Sequence, residues 1–222
     1  MMKAVDFDIG RIRALIFDLD GVVLSTDHYH ERAWASLAED LGIDFSLIDS
    51  DRLRGVSRLQ CVDVLLERYR GGVVSDSERI ALGERKNAIY RSLVAEMSPS
   101  DVADEVRDSL RELRRRGYRL AIGSVSRNAR YILERTEMLS FFDALADGTI
   151  TVNAKPDPEV FLHAARMLDT PPEHCAVIED AVSGLEAARR GGMLPIGIGP
   201  AATSALAVLR ISSLTELLEI YS

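Results

Sequence analysis

Ala14-Leu15-Ile16-Phe17-Asp18-Leu19-Asp20-Gly21-Val22 sets an apolar run directly before two aspartates one residue apart, and a glycine follows them. A short, uninterrupted apolar run ended by glycine reads as a buried, parallel strand. In a parallel sheet the ligand crevice lies at the carboxyl ends of the strands. Asp18 and Asp20 therefore fall where chemistry is expected. Gly21 permits a sharp turn there and leaves room beside the backbone for a ligand.

Working outward, Val22 to Asp27 is a short connection, and the chain beyond it changes character. His28 to Leu41 places Trp34, Leu37, Ala38 and Leu41 at helical spacing, with Gly42 as a stop. Phe45 to Arg54, Ser57 to Tyr69 and Asp76 to Met97 read as further helices, which predicts a four-helix cap domain over residues 24–96. Strand and helix then alternate. Helices are predicted over Asp101 to Arg116, Asn128 to Glu137, Pro158 to Leu168 and Ala181 to Arg190, and from Ser213. Strands are predicted over Tyr118 to Gly123, Phe142 to Ala146, Ala176 to Ile178 and Leu194 to Ile198, with one more near Val208. Such alternation specifies an α/β core with a doubly wound, Rossmann-like parallel sheet, here 1–23 plus 97–222. An insertion after the first strand is expected to overhang the edge that carries Asp18 and Asp20.

The 222 residues carry 35 acidic against 27 basic side chains, a net charge of −8. An acidic balance argues against a nucleic-acid surface. No apolar stretch approaches the ~18 residues of a membrane span. Met1 to Ile12 lacks the apolar core of a secretory signal, and Cys61 and Cys175 stand in no metal-ligand spacing. A cytoplasmic protein that binds neither nucleic acid nor membrane, and that works as a monomer, is the expectation.

Other stretches converge on the same edge. Ser124-Val125-Ser126-Arg127-Asn128, Lys155-Pro156 and Glu179-Asp180 end strands or occupy the loops after them. Together they would assemble carboxylates, a lysine and two serines in one crevice. Such a set suits phosphoryl transfer. Magnesium takes hard oxygen ligands, usually one or two carboxylates with phosphate and water, and Asp18 and Asp180 can supply them. A lysine and hydroxyls can neutralise and orient phosphoryl oxygens. One carboxylate can attack phosphorus, and a second can shuttle a hydroxyl proton.

In order and spacing, Asp18-Leu19-Asp20-Gly21-Val22, Ser124, Lys155-Pro156 and Glu179-Asp180 resemble the four motifs of the haloacid dehalogenase superfamily. Within it the chain is similar to the β-phosphoglucomutase family over nearly its whole length. Thr26, Tyr29-His30, Gly55-Val56-Ser57-Arg58 and Arg85-Lys86-Asn87 carry that likeness through the insertion. The resemblance implies that Asp18 is the nucleophile and Asp20 the general acid and base. It implies Mg2+ held by Asp18, the Asp20 carbonyl and Asp180, with Glu179 close by. It assigns the transferring phosphoryl to Ser124, Lys155 and backbone N–H groups near Asp20 and Val125. The distal phosphate goes to Arg58, Ser126 and Asn128, and Thr26 and His30 belong to the hinge region. Arg54 stands where the family usually has lysine, which keeps the charge but changes the hydrogen-bond geometry.

The activity implied is interconversion of β-D-glucose 1-phosphate and D-glucose 6-phosphate through an aspartyl-phosphate and a β-glucose 1,6-bisphosphate. The alternative is a magnesium-dependent sugar-phosphate phosphatase using the same aspartyl-phosphate. Either way the partner is a phosphorylated sugar.

Overall fold

The computed structural model describes residues 7–53 and 57–222. Six strands, β1 (Ala14–Phe17), β2 (Arg119–Gly123), β3 (Ala144–Ala146), β4 (Cys175–Glu179), β5 (Leu194–Ile198) and β6 (Leu209–Ile211), form one sheet in the order β3-β2-β1-β4-β5-β6. Every neighbouring pair is parallel. The helices are α1 (Asp27–Asp40), α2 (Arg58–Leu66), α3 (Asp76–Val94), α4 (Asp104–Arg115), α5 (Ala129–Arg135), α6 (Glu159–Met167), α7 (Val182–Arg190) and α8 (Leu217–Ile220). Among the described residues, no helix is long and apolar enough to cross a membrane.

The first strand is central because it is apolar on both faces, as a strand covered on both sides must be. Its four residues are all fully buried. Ala14 and Ile16 join Ala121 and Val177 against Val160, Phe161 and Ala164 of α6 and Ala187 and Ala188 of α7. Phe17 points the other way and meets Phe142 edge-on, ring centroids 6.0 Å apart. Phe17 is in register with Ile122 of β2 and Ile178 of β4. The next residues of the three strands, Asp18, Gly123 and Glu179, therefore lie in one row at the carboxyl edge. That row is also the switch point, where the strand order turns back at β1.

The chain divides into two compact units, Met1–Ser25 with Ser98–Ser222 and Thr26–Met97. The first crossing falls two residues later than the sequence pattern places it. Gly21 donates to the Leu24 carbonyl at 2.8 Å and Asp20 bridges Leu24, which ties Leu24 to the sheet unit.

In the Thr26–Met97 unit the core is Trp34, Leu37, Ala38, Ile43, Ile48, Cys61, Val62 and Leu65, so Trp34 is a packing residue. Ser57 and Ser75 start α2 and α3 with reciprocal capping boxes to Gln60 and Glu78. The expected four helices become three among the described residues. The described part of the segment expected from Phe45 to Arg54 is not one helix; it gives 3-10 turns at Phe45–Leu47 and Ser50–Leu53. The cause is local. Asp44 takes the Ser46 N–H at 3.0 Å, and Ile48 is extended at φ −90°, ψ 127°. Asp44 thus starts the first turn as its N-cap, and the extended Ile48 ends it. The helix expected from Asp101 starts later for the same kind of reason. Ser98 and Asp101 cap a separate 3-10 turn, and Val102 is extended.

Candidate active site

In the sheet unit, Lys155 is the hub. Its Nζ donates to Asp18 Oδ1 and to Glu179 Oε1, each at 2.5 Å, and sits 4.6 Å from the Phe161 ring centroid. Glu179 is 1% exposed and Asp18 8%, so two carboxylates share one ammonium away from water. Burial pushes the Asp18 carboxyl above the ordinary carboxylate range. The Lys155 charge pulls it back, and the Glu179 and Asp20 carboxylates push it up again. For Lys155, burial disfavours the ammonium, but Asp18 and Glu179 outweigh it and hold the amine above its usual value. Lys155 is thus a fixed cation beside Asp18.

Glu179, expected close to a metal, is engaged with the lysine and with the backbone. Its Oε1 accepts from Lys155 and its Oε2 from the Ala181 N–H at 2.8 Å. It orients the lysine.

Asp20 is half-buried in the tight turn after β1, where Gly21 has φ +75°. Asp180 closes on that turn: a Cβ on Gly21 would lie 2.1 Å from Asp180 Oδ2. The missing side chain is what lets a carboxylate rest on the Asp20–Gly21 backbone. The Asp18 and Asp180 carboxylates and the Asp20 carbonyl are hard oxygen donors of the kind a divalent cation takes when water and phosphate complete its shell, and these are the residues that would hold one. Among the described residues no three His, Cys, Asp or Glu side chains form a protein-only metal cluster. A two-carboxylate site completed by a carbonyl, water and phosphate requires none.

Ser124 follows β2 and is 3% exposed; its N–H donates to the Ala146 carbonyl at 3.1 Å. Its hydroxyl accepts from the Ser126 N–H at 3.2 Å, and the Ser126 hydroxyl accepts from the Asn128 N–H at 3.2 Å. Successive hydroxyls thereby fold Ser124 to Asn128 into a compact loop before α5. Gly148 N–H donates to the Ser126 carbonyl at 3.3 Å. A Cβ on Gly148 would lie 2.2 Å from the Val125 carbonyl oxygen and 3.0 Å from the Arg127 nitrogen. Gly148 is a supporting residue that no motif in the sequence singles out.

The Thr26–Met97 unit holds a second polar group. His30 Nδ1 lies 2.6 Å from Lys86 Nζ. The ammonium has only donors, so Nδ1 accepts and the imidazole proton belongs on Nε2. His30 stacks on Tyr90 at 4.1 Å between centroids, and the Tyr90 hydroxyl donates to Thr26 Oγ1 at 3.0 Å. Lys86 is 4% exposed and lies 4.6 Å from the Trp34 centroid and 4.8 Å from that of Tyr90. Burial, with Lys86 and then Arg58 adding to it, lowers the His30 pKa to about 3, so this histidine is neutral. Lys86 is not among the site residues expected from sequence. A signal for it exists: Gly83, Lys86, Tyr90 and Val94 form the buried stripe of α3, and a lysine in such a stripe needs a reason.

Arg58 is the first residue of α2. Nη1 donates to Glu84 Oε1 at 2.7 Å and Nη2 to Asn87 Oδ1 at 3.1 Å. Arg54, the remaining phosphate-binding expectation, lies outside the described residues.

An acidic pair at the end of a central parallel strand, a lysine locked to the first of them, and a hydroxyl loop on the neighbouring strand are the parts of a phosphoryl-transfer site. The comparisons agree with that class: a family model described as haloacid dehalogenase-like hydrolase matches residues 12–192. The chain belongs to this family. Within it, the chain is 38% identical over 210 residues to the β-phosphoglucomutase of Bacillus subtilis, covering 92% of each. A crystal structure of β-phosphoglucomutase from Clostridium difficile superposes with a TM-score of 0.82 at 33% identity, covering 95% of this chain and 97% of that one. A phosphorylated carbohydrates phosphatase of Thermotoga maritima is 29% identical over 184 residues, 82% of each chain.

Proposed function

We propose that the protein is a phosphomutase that interconverts β-D-glucose 1-phosphate and D-glucose 6-phosphate. The observation that carries this reading is the 38% identity to a β-phosphoglucomutase along 92% of the chain. The sheet-unit geometry supports it, because Asp18 stands beside a permanent cation that can hold a phosphoryl oxygen.

Asp18, as an aspartyl-phosphate, donates its phosphoryl group to the C6 hydroxyl of β-glucose 1-phosphate. Asp20 takes the hydroxyl proton as the O–P bond forms and the Asp18–phosphorus bond breaks. The product is β-glucose 1,6-bisphosphate. After the bisphosphate reorients, Asp18 attacks the C1 phosphate, and Asp20 returns the proton to the departing C1 oxygen. Glucose 6-phosphate leaves, and the aspartyl-phosphate is restored. Lys155 and Ser124 hold the transferring phosphoryl group, with N–H groups near Val125. Ser126, Asn128 and Arg58 bind the phosphate that is not reacting. Mg2+, held by Asp18, the Asp20 carbonyl and Asp180, would offset charge on the transferring phosphoryl oxygens.

A coupled assay tests the reading. β-Glucose 1-phosphate is supplied with Mg2+ and a trace of glucose 1,6-bisphosphate, and glucose 6-phosphate and inorganic phosphate are followed together. Glucose 6-phosphate should far outrun free phosphate and vanish in Asp20→Ala. Free phosphate with little glucose 6-phosphate would instead establish a phosphatase, the reading that the likeness to the Thermotoga phosphatase favours.

A further inference from the structure

Arg58 is already occupied by the protein's own side chains. It opens α2, where the helix N-terminus adds positive potential. Its stem lies over Gly83 of α3, where a Cβ would fall 3.3 Å from Arg58 Cδ. From α3 the guanidinium receives a carboxylate and an amide, Glu84 at 2.7 Å and Asn87 at 3.1 Å. The two acceptors are three residues apart on one helix and so share a face. They differ in kind. Asn87 is a neutral acceptor that fixes the plane of the guanidinium. Glu84 is an anion, 64% exposed at its side chain against 29% for Arg58, and it occupies a guanidinium edge suited to a phosphate.

We propose that Glu84 is an internal competitor for Arg58, a carboxylate that the non-reacting phosphate of the substrate or of the bisphosphate must displace, and so a specificity-determining residue. The proposal rests on the reading of Arg58 as a ligand for the non-reacting phosphate. Its consequence is selection by charge. A phosphate dianion brings more negative charge and more acceptor oxygens than one carboxylate and can take the guanidinium from it. A sugar hydroxyl cannot. Glu84 therefore weakens the ligands that must take Arg58 from it, and it denies the guanidinium to ligands that bring only a hydroxyl there. Because the pair is largely solvated, its effect is small enough to be reversible; exposed pairs of this type shift an equilibrium by about two- to fivefold.

The test uses the full chain with Mg2+ and compares Glu84→Gln, Arg58→Ala and the double variant. The readouts are KM for β-glucose 1-phosphate and the dissociation constant of glucose 1,6-bisphosphate by calorimetry. Glu84→Gln should tighten both by about two- to fivefold, with the change in KM rather than in kcat. Arg58→Ala should weaken both, and in that background Glu84→Gln should change neither. Glu84→Gln without tightening, in a chain where Arg58→Ala does weaken binding, would overturn the competitor role and leave the Arg58 reading standing. An equal gain with and without Arg58 would reduce Glu84 to a general charge effect and also overturn it. If Arg58→Ala leaves both constants unchanged, the reading of Arg58 falls, and the proposal falls with it.

Discussion

Gly184 stands against Glu179: a Cβ on the glycine would lie 1.9 Å from Glu179 Oε1, the same oxygen that accepts the Lys155 ammonium. A residue on α7 thus sets the position of a lysine on another loop through one buried carboxylate. In Gly184→Ala the carboxylate must move, and Lys155 loses the partner that aims it at Asp18. Supporting partners of this kind typically change activity by 10–100-fold. We expect kcat to fall by about that factor, with a lowered Tm, because a buried charge is left poorly paired. Glu179→Gln keeps the shape but removes the charge, and should lower kcat with a smaller change in Tm. Steady-state kinetics and thermal unfolding of both variants check this; an unimpaired Gly184→Ala would refute the relay.

Gly148 plays the corresponding part for the hydroxyl loop. Its N–H holds the Ser126 carbonyl, and any Cβ would press on the Val125 carbonyl oxygen at 2.2 Å. A backbone oxygen cannot swing away as a flexible side chain can, so the loop itself must shift in Gly148→Ala. Misplacing a binding group by about 1 Å can cost up to ~100-fold. KM for the phosphorylated substrate should rise by about tenfold, and inorganic phosphate should inhibit correspondingly less. Equal KM and inhibition constants in the two proteins would remove Gly148 from the hydroxyl loop's support.

Much of this arrangement is legible in the amino-acid sequence. The apolar run Ala14 to Phe17 ends in Asp18 because a buried parallel strand must leave its core before polar groups can appear. The same logic puts Ser124 and Glu179-Asp180 at the sheet edge. Pairings across long sequence separation are not legible. Glu179 sits beside Asp180 in the sequence, but its hydrogen bond to Lys155, 24 positions away, is invisible there. The Phe45 to Leu53 segment has helical composition, but the extended Ile48 splits it into separate 3-10 turns, the first of them capped by Asp44. Glu84 looks like one more charge on a solvated helix, because nothing local reveals that Arg58 faces it.

The turn at Gly21 makes a metal-dependent prediction. Asp180 reaches the Asp20–Gly21 backbone only because position 21 has no side chain and adopts φ +75°. Removing divalent ions with a chelator should abolish turnover, and Mg2+ should restore it. Binding to the folded state alone also raises Tm with ligand concentration, which gives a readout independent of activity. Wild-type protein should show that rise with Mg2+. Asp180→Asn should show much less of it, and Gly21→Ala should lose both the shift and turnover. A full Mg2+ shift in Asp180→Asn would place the ion elsewhere.

His30 carries the pH prediction. Its folded pKa is lowered to about 3 from an ordinary 6.5, chiefly by burial, then by Lys86 and Arg58. Between those two values the unfolded chain binds a proton on this imidazole and the folded chain does not. Stability therefore rises with pH through the window. The contribution is complete above about pH 6.5 and is lost progressively as pH falls toward 3. Protonation would also place an imidazolium against the Lys86 ammonium, 2.6 Å from Nδ1. His30→Asn keeps an acceptor for Lys86 on its side-chain carbonyl but cannot titrate. Denaturant unfolding at about pH 7.5 and about pH 5 should show a smaller acid loss in this variant than in the wild type. The same acid loss in both proteins would mean that other groups set the slope and that His30 is solvated more than its stacking on Tyr90 implies.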